Sequence, residues 1–226
     1  MKKNISVLFL CLTVMFCAFL ILANLMEVNI VDLGFMTVTA GLMVFPLSYI
    51  INDCIVEVYG FRKARLVIWL GFVINLIFVL FLQLCIVLPC DPAWEHQDAV
   101  EVVFGNTLRI LAASFIAFVC GSFTNAYVMS KMKLMSQGRH FSLRAVVSTL
   151  FGESVDSLIF FPIAFWGILP GEVILSLIWT QAVLKTVYEI LVLPVTIKVV
   201  KYVKTKEELD VYDNDTNYKW WRIDQI

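Results

Sequence analysis

Apolar runs of membrane-spanning length recur six times along the chain, at about residues 6–26, 35–57, 66–88, 106–129, 145–168 and 173–197. About 20 apolar residues wound as a helix cross the hydrocarbon of a bilayer. Backbone amides and carbonyls in lipid must find partners within the chain, which restricts spanning structure to helices or closed barrels, and runs this long and continuous argue against the barrel. The expectation is an all-α polytopic membrane protein with six transmembrane helices spread over residues 1–206, followed by a cytoplasmic acidic and aromatic tail at 207–226. Composition agrees: 61% of the 226 residues are hydrophobic, only 15% are charged, and the mean hydropathy is +0.87, which leaves almost no material for a soluble domain.

The basic residues set an orientation. Lys2 and Lys3, then Arg62, Lys63 and Arg65, then Lys131, Lys133, Arg139 and Arg144, then Lys198, Lys201, Lys204 and Lys206 all fall at ends that an even-membered bundle puts on one side. That side is expected to be cytoplasmic, with both termini on it. The opposite connections carry Glu27 and Asp32, then Asp91, Glu95, Asp98 and Glu101, then Glu172, with no Lys or Arg between the flanking helices. A cleavable signal peptide is the alternative for residues 1–26, but its removal would leave five helices and break the alternation of basic loops.

Several chemistries have little support. Cys11, Cys17, Cys54, Cys85, Cys90 and Cys120 lack metal-ligand spacing and read as small apolar fillers, with a Cys85–Cys90 disulfide near the outer face as the alternative. His96 and His140 both fall in expected loops, so no intramembrane histidine cluster exists to carry a transition metal. No cofactor is called for, and a glycine-rich nucleotide-binding loop is missing from the sequence.

Scaffold features are also legible. Residues 89–105 are expected to form an outer lid or solvated loop, with room for a short interfacial helix. Ala113, Ala117 and Gly121 put small side chains on one face of the fourth helix, where another helix can approach closely; the sequence leaves open whether the chain forms a homo-oligomer. Pro46, Pro162 and Pro194 fall inside expected helices and suggest hinges, broken-helix binding elements or static bends. Tyr218, Lys219, Trp220, Trp221 and Arg222 suit the inner lipid surface, with a solvated tail as the alternative.

The charges inside the apolar runs carry the functional signal, because an ionisable group in a transmembrane helix is costly and marks a polar path or site. Asp53 and Glu57 share one face of the second helix, with Ser48 and Asn52 on an adjoining one, and Glu153, Asp156 and Ser157 share a face of the fifth. Gln181, Lys185 and Glu189 stand at four-residue intervals on the sixth. Asp53 lies about 13.5 Å from Arg62 at the ideal helical rise, Glu153 about 13.5 Å from Arg144, and Glu189 about 13.5 Å from Lys198. Three acids from three helices are therefore expected near one plane. Glu57, only about 7.5 Å from Arg62, has the alternative of simply pairing with the arginines of the inner loop.

Five embedded acids face one embedded base, Lys185, since Arg109 sits near a helix end and can snorkel. Such a cavity disfavours anions and suits a cation or a heterocycle with several N–H donors, while a shared proton makes coupling to a proton gradient an expectation. Asn52 or Gln181 can read a carbonyl, and Tyr49, Phe161, Phe165, Trp166 and Tyr188 are candidates to stack on a ring. A structural polar network is the alternative for each of these groups.

Three stretches together resemble the bacterial queuosine precursor transporter family: Asn24 in Ile21-Leu22-Ala23-Asn24; residues 45–60 with Asn52-Asp53 and Glu57-Val58-Tyr59-Gly60; and Gly152-Glu153-Ser154-Val155-Asp156-Ser157, followed by Lys185, Tyr188-Glu189 and Pro194. The resemblance covers most of the chain and stops being informative beyond Lys206. It implies a multi-pass importer in the bacterial inner membrane, not an enzyme. Its substrate would be a 7-deazaguanine, chiefly 7-cyano-7-deazaguanine with 7-aminomethyl-7-deazaguanine as a second candidate, and the lipid bilayer its other partner, with no direct nucleic-acid binding. On this reading Asn24 and Asn52 orient the substrate, Asp53, Glu57, Glu153 and Asp156 bind substrate or proton, and Lys185 and Glu189 form a gate or charge relay. A membrane-embedded binding subunit of an ATP-driven vitamin transporter is the runner-up, and an intramembrane enzyme built on Glu153 and Asp156 the third reading.

Overall fold

The computed structural model describes residues 6–26, 29–32, 37–91, 93–105 and 108–221. Lys2, Lys3, Glu27 and Arg222, used above for orientation and for the tail, lie outside the described residues. The elements run α1 (Val7–Met26), β1 (Ile30–Asp32), β2 (Thr37–Thr39), a 3₁₀ turn (Ala40–Met43), α2 (Phe45–Tyr59), α3 (Phe61–Val87), α4 (Gln97–Phe104), α5 (Leu108–Met135), α6 (Phe141–Phe165) and α7 (Gly171–Glu207). Among the described residues, five spans are long and apolar enough to cross a membrane: α1, the 3₁₀ turn with α2, α3, residues 112–135 of α5, and α6. The protein is thus an α-helical, multi-pass membrane protein, with one short antiparallel hairpin in which Ile30 pairs with Thr39 and Asp32 with Thr37.

The hairpin corrects the expected second helix. Thr37, Val38 and Thr39 are β-branched and favour an extended backbone, so helix α2 starts at Phe45 and not near residue 35. Pro46 consequently falls in the first turn of α2, where a missing N–H leaves no bond unmade, and produces no mid-helix kink. Pro162 and Pro194 do lie within helices, in α6 and α7. The loop expected between the second and third helices is also absent. Gly60 alone separates α2 from α3, and its φ of +82° belongs to a region glycine enters without strain. Arg62, Lys63 and Arg65 therefore fall within the first five residues of α3.

Helix α2 is the axis of the bundle. Every residue from Ser48 to Gly60 is buried, as expected of a helix enclosed on all sides. The core around it joins Phe16, Leu20, Ile55, Val58, Phe61, Ile68 and Met129 with Val200 and Val203 of α7. Helix α3 turns Leu80, Phe81 and Leu84 outward, and α7 exposes Trp179, Leu191 and Val195, surfaces suited to lipid. Helices α5 and α6 cross where both lack side chains: a Cβ on Gly152 would stand 2.7 Å from Asn125 Cβ and 3.0 Å from the Gly121 carbonyl oxygen. The expected small-residue face is thus in use, with Ala113 and Ala117 fully or almost fully buried.

Helix α4 fills part of the 89–105 connection, and all six cysteines are free, so Cys85 and Cys90 do not pair. The C-terminal segment departs furthest from expectation. Residues 210–220 fold back on the helices and do not form a loose solvated tail. Asp213 accepts hydrogen bonds from the Phe61 amide at 2.9 Å and the Ser130 hydroxyl at 2.6 Å, Arg65 donates to the carbonyls of Asn217 and Lys219, and Trp220 stacks on Trp69.

Candidate functional site

The structure divides the embedded charges into two levels along α2. At the inner end, Glu57 is only 1% exposed and is saturated by cations. Arg144 of α6 grips it with two N–H groups at 2.5 and 3.1 Å, and Lys204 of α7 donates to it at 2.7 Å. Lys133 of α5 binds the Glu57 carbonyl and also Asp210 at 2.5 Å, and Lys204 reaches Asp210 at 2.9 Å. Burial alone would raise the Asp210 pKa, but Lys133 and Lys204 outweigh that and hold it below the ordinary carboxylate value. Arg62, the neighbour expected for Glu57, bonds instead to the carbonyl of Asp215.

One to two turns outward, the second level gathers side chains from α2, α5, α6 and α7. Lys185 places its ammonium 2.8 Å from Glu153 and 3.6 Å from Asp156, and 4.1 Å above the centre of the Phe45 ring. Glu153 is fully buried and Asp156 is 9% exposed. Tyr49 stands against the Gly121–Gly152 crossing, its hydroxyl 2.7 Å from where a Gly121 Cβ would be, which puts it in electrostatic reach of Glu153, Asp156 and Asp53. Asp53 adjoins Glu189 of α7 and Asn125 of α5, and Glu189 adjoins Thr149 of α6. Asn52 donates to Asn125 at 2.9 Å, and Asn125 to Thr149 at 3.4 Å, so a chain of amides and a hydroxyl links three helices.

This level is short of partners. The Tyr49 hydroxyl, the Asn52 side-chain oxygen, the Ser157 hydroxyl and both carboxylate oxygens of Asp53, Glu153 and Glu189 are buried without a hydrogen bond of good geometry; Lys185 meets Glu153 as an ion pair. Buried polar atoms are nearly always paired, so an unpaired cluster points to a ligand, water or proton that belongs there.

The other sequence candidates lie elsewhere. Asn24 donates to Asn75 at 2.8 Å, tying α1 to α3. Phe161 stacks on Phe165 in a small outer cluster with Ile174 and Ile178. Tyr188 donates its hydroxyl to the Met43 carbonyl, joining α7 to the 3₁₀ turn. An apolar cavity of about 650 Å³ opens between α3 and α5, lined by Trp69, Phe72, Phe115, Phe123 and Trp220, and touches none of the carboxylates. Among the described residues no group of three or more His, Cys, Asp or Glu is placed to hold a metal ion. Asn125 and Thr149 join the site without having been expected there; a buried amide in an apolar helix was the available signal, and it reads equally well as packing glue.

Residues 39–199 match the family model described as "Putative vitamin uptake transporter". The "Probable queuosine precursor transporter" of Bacillus subtilis (strain 168) is 30% identical over 173 residues, 76% of either chain. The chain belongs to the queuosine precursor transporter family. The "Queuosine precursor transporter" of Escherichia coli (strain K12) is 30% identical over 150 residues, 63% of this chain and 61% of that one. A Haemophilus influenzae relative named "Probable queuosine precursor transporter" is 26% identical over 128 residues, 57% of this chain and 52% of its own. No solved structure matches significantly. Family membership makes the protein a transporter and not an enzyme, and the matched region holds every member of the outer level, from Phe45 to Glu189.

Proposed function

We propose that the protein is a secondary importer of a queuosine precursor across the bacterial inner membrane, serving tRNA modification, and that it is driven by protons. The substrate is a 7-deazaguanine, 7-cyano-7-deazaguanine in the first place and 7-aminomethyl-7-deazaguanine in the second. Helix α7 supplies a sixth crossing, and both termini lie in the cytoplasm; the gathering of Arg65, Lys133, Arg144 and Lys204 at one end of the bundle supports that orientation. The observation that carries the reading is the buried, unpartnered hydroxyl of Tyr49 and carboxylate of Glu153, with Asp156, beside Lys185. A carboxylate accepts two N–H donors side by side, which the edge of a guanine-like ring presents, and the Tyr49 hydroxyl can bond a ring heteroatom.

Uptake of labelled precursor by a strain unable to make queuosine tests this. At equal surface amount, E153Q and D156N are expected to lose uptake that deazaguanines compete for, and full retention in both would refute the assignment. The family description names vitamin uptake, and the second reading is a vitamin carried by this chain as the binding subunit of an ATP-driven assembly. Transport by the purified chain alone in liposomes excludes that reading.

A further inference from the structure

The four carboxyl groups of the outer level are neutralised unequally. Glu153 and Asp156, both on α6, share the ammonium of Lys185. Asp53 on α2 and Glu189 on α7 face each other instead. They are 0% and 1% exposed, and none of their oxygens has a hydrogen-bond partner of good geometry. Two ionised carboxylates in contact and out of water repel each other strongly, and a single proton turns that repulsion into an O–H···O bond, as in acid pairs that share one proton.

Among the described residues the groups adjoining the pair from α5 and α6 are the Asn125 amide, the Thr149 hydroxyl and, acting on Glu189, the Glu153 carboxyl. Helix α1 has no charged residue. On α2 itself, Glu57 is taken up by Arg144, Lys204 and Lys133 of α6, α7 and α5, and Cys54 and Tyr49 are neutral neighbours. The start of α3 spends Arg62 and Arg65 on carbonyls of the C-terminal segment and sets Lys63 over the rings of Phe9 and Tyr59. Lys185, on α7 with Glu189, pairs with Glu153 and Asp156 of α6. The Tyr49 hydroxyl, in a residue 2% exposed, is unpartnered and reaches Asp53 electrostatically after Glu153 and Asp156.

We propose that Asp53 and Glu189 are the coupling site of the transporter, holding one proton between α2 and α7, separate from a substrate subsite at Glu153, Asp156 and Lys185. The inference rests on the transport reading above and assigns its driving ion a place. The protonated pair clamps α2 to α7. Parting of the two helices admits water, ionises both acids and releases the proton, so the closed arrangement binds the proton better than the open one, and that differential affinity links the gradient to movement.

Purified protein in liposomes, with labelled 7-cyano-7-deazaguanine and the membrane potential clamped at zero, separates coupling from binding. For an uncharged substrate and one proton, a gradient of one pH unit should give the native chain about tenfold accumulation. D53N and E189Q, tested separately, are expected still to exchange internal for external substrate where E153Q does not, yet to accumulate none, because exchange needs no net proton movement. E153Q should lose both activities. Gradient-driven accumulation surviving in folded D53N and E189Q overturns the proposal, as does loss of exchange in step with E153Q. A native chain that responds to sodium and not to protons overturns it without touching the transport reading, whereas a native chain that neither exchanges nor accumulates the precursor overturns both.

Discussion

The ammonium of Lys185 on α7 lies 2.8 Å from a carboxylate oxygen of Glu153 on α6, in a setting where Glu153 is fully buried. Two helices joined by only five residues, 166–170, are thus also joined by charge halfway along α6. Replacing Lys185 by Met leaves Glu153 and Asp156 without their cation. A hydrogen bond to a charged group contributes about 1.5–3 kcal/mol, so substrate affinity should fall roughly 10- to 150-fold, measured by binding to detergent-solubilised protein. Unchanged affinity in K185M would remove Lys185 from the site.

Gly152→Ala puts a methyl group against Asn125 Cβ at 2.7 Å and the Gly121 carbonyl oxygen at 3.0 Å, neither of which can rotate away. Helices α5 and α6 must part, at a cost of about 1–3 kcal/mol, the usual penalty for overpacking. A lowered melting temperature in detergent is the expected readout, together with reduced uptake, since the crossing also seats Tyr49.

Glu57→Gln is expected to act on stability and spare recognition. The substitution strips the fully buried Arg144 of its carboxylate, and breaking a buried pair costs about 3–5 kcal/mol. The loss should sit near the lower end, because Lys204 is a quarter exposed and can turn to water. Thermal unfolding measures the loss; binding by the folded fraction should match native within about threefold, as only a small free-energy difference separates such affinities.

Docking of the C-terminal segment should depend on acid pH. Lys133 and Lys204 hold the Asp210 carboxyl below its ordinary value despite burial. A lowered pKa adds stability above the unbound value, about 4, and that contribution is lost as pH falls through the bound value. Hydrogen exchange of residues 210–220 should stay slow at neutral pH and accelerate below about pH 4. D210N should exchange faster at neutral pH and show a smaller step.

The level of the embedded acids was readable because basic residues mark the helix ends and helical rise converts spacing into depth: Asp53, Glu153 and Glu189 each stand nine residues from a basic neighbour. Which acids pair was not readable, since it depends on how α2, α6 and α7 are rotated about their axes. The Glu57 alternative of inner-loop arginines named the right kind of partner and the wrong segment, Arg144 and not Arg62. The hairpin was hidden because a β-branched triplet inside an apolar stretch adds to hydropathy whatever its backbone does. Aromatic roles were the least legible: Tyr49, Phe161 and Tyr188 share polarity and depth cues but end up in a helix crossing, an outer cluster and a backbone tie respectively.

The backbone amide of Phe61 and the carboxylate of Asp213 meet across 152 residues of sequence. A nascent chain can complete that seat only after α3 and α5 are already together, because it comprises Phe61, Arg65 and Ser130. Attachment of the last segment therefore reports completed assembly, and a protease cutting near residue 213 would distinguish finished molecules from those still sorting their helices in the bilayer.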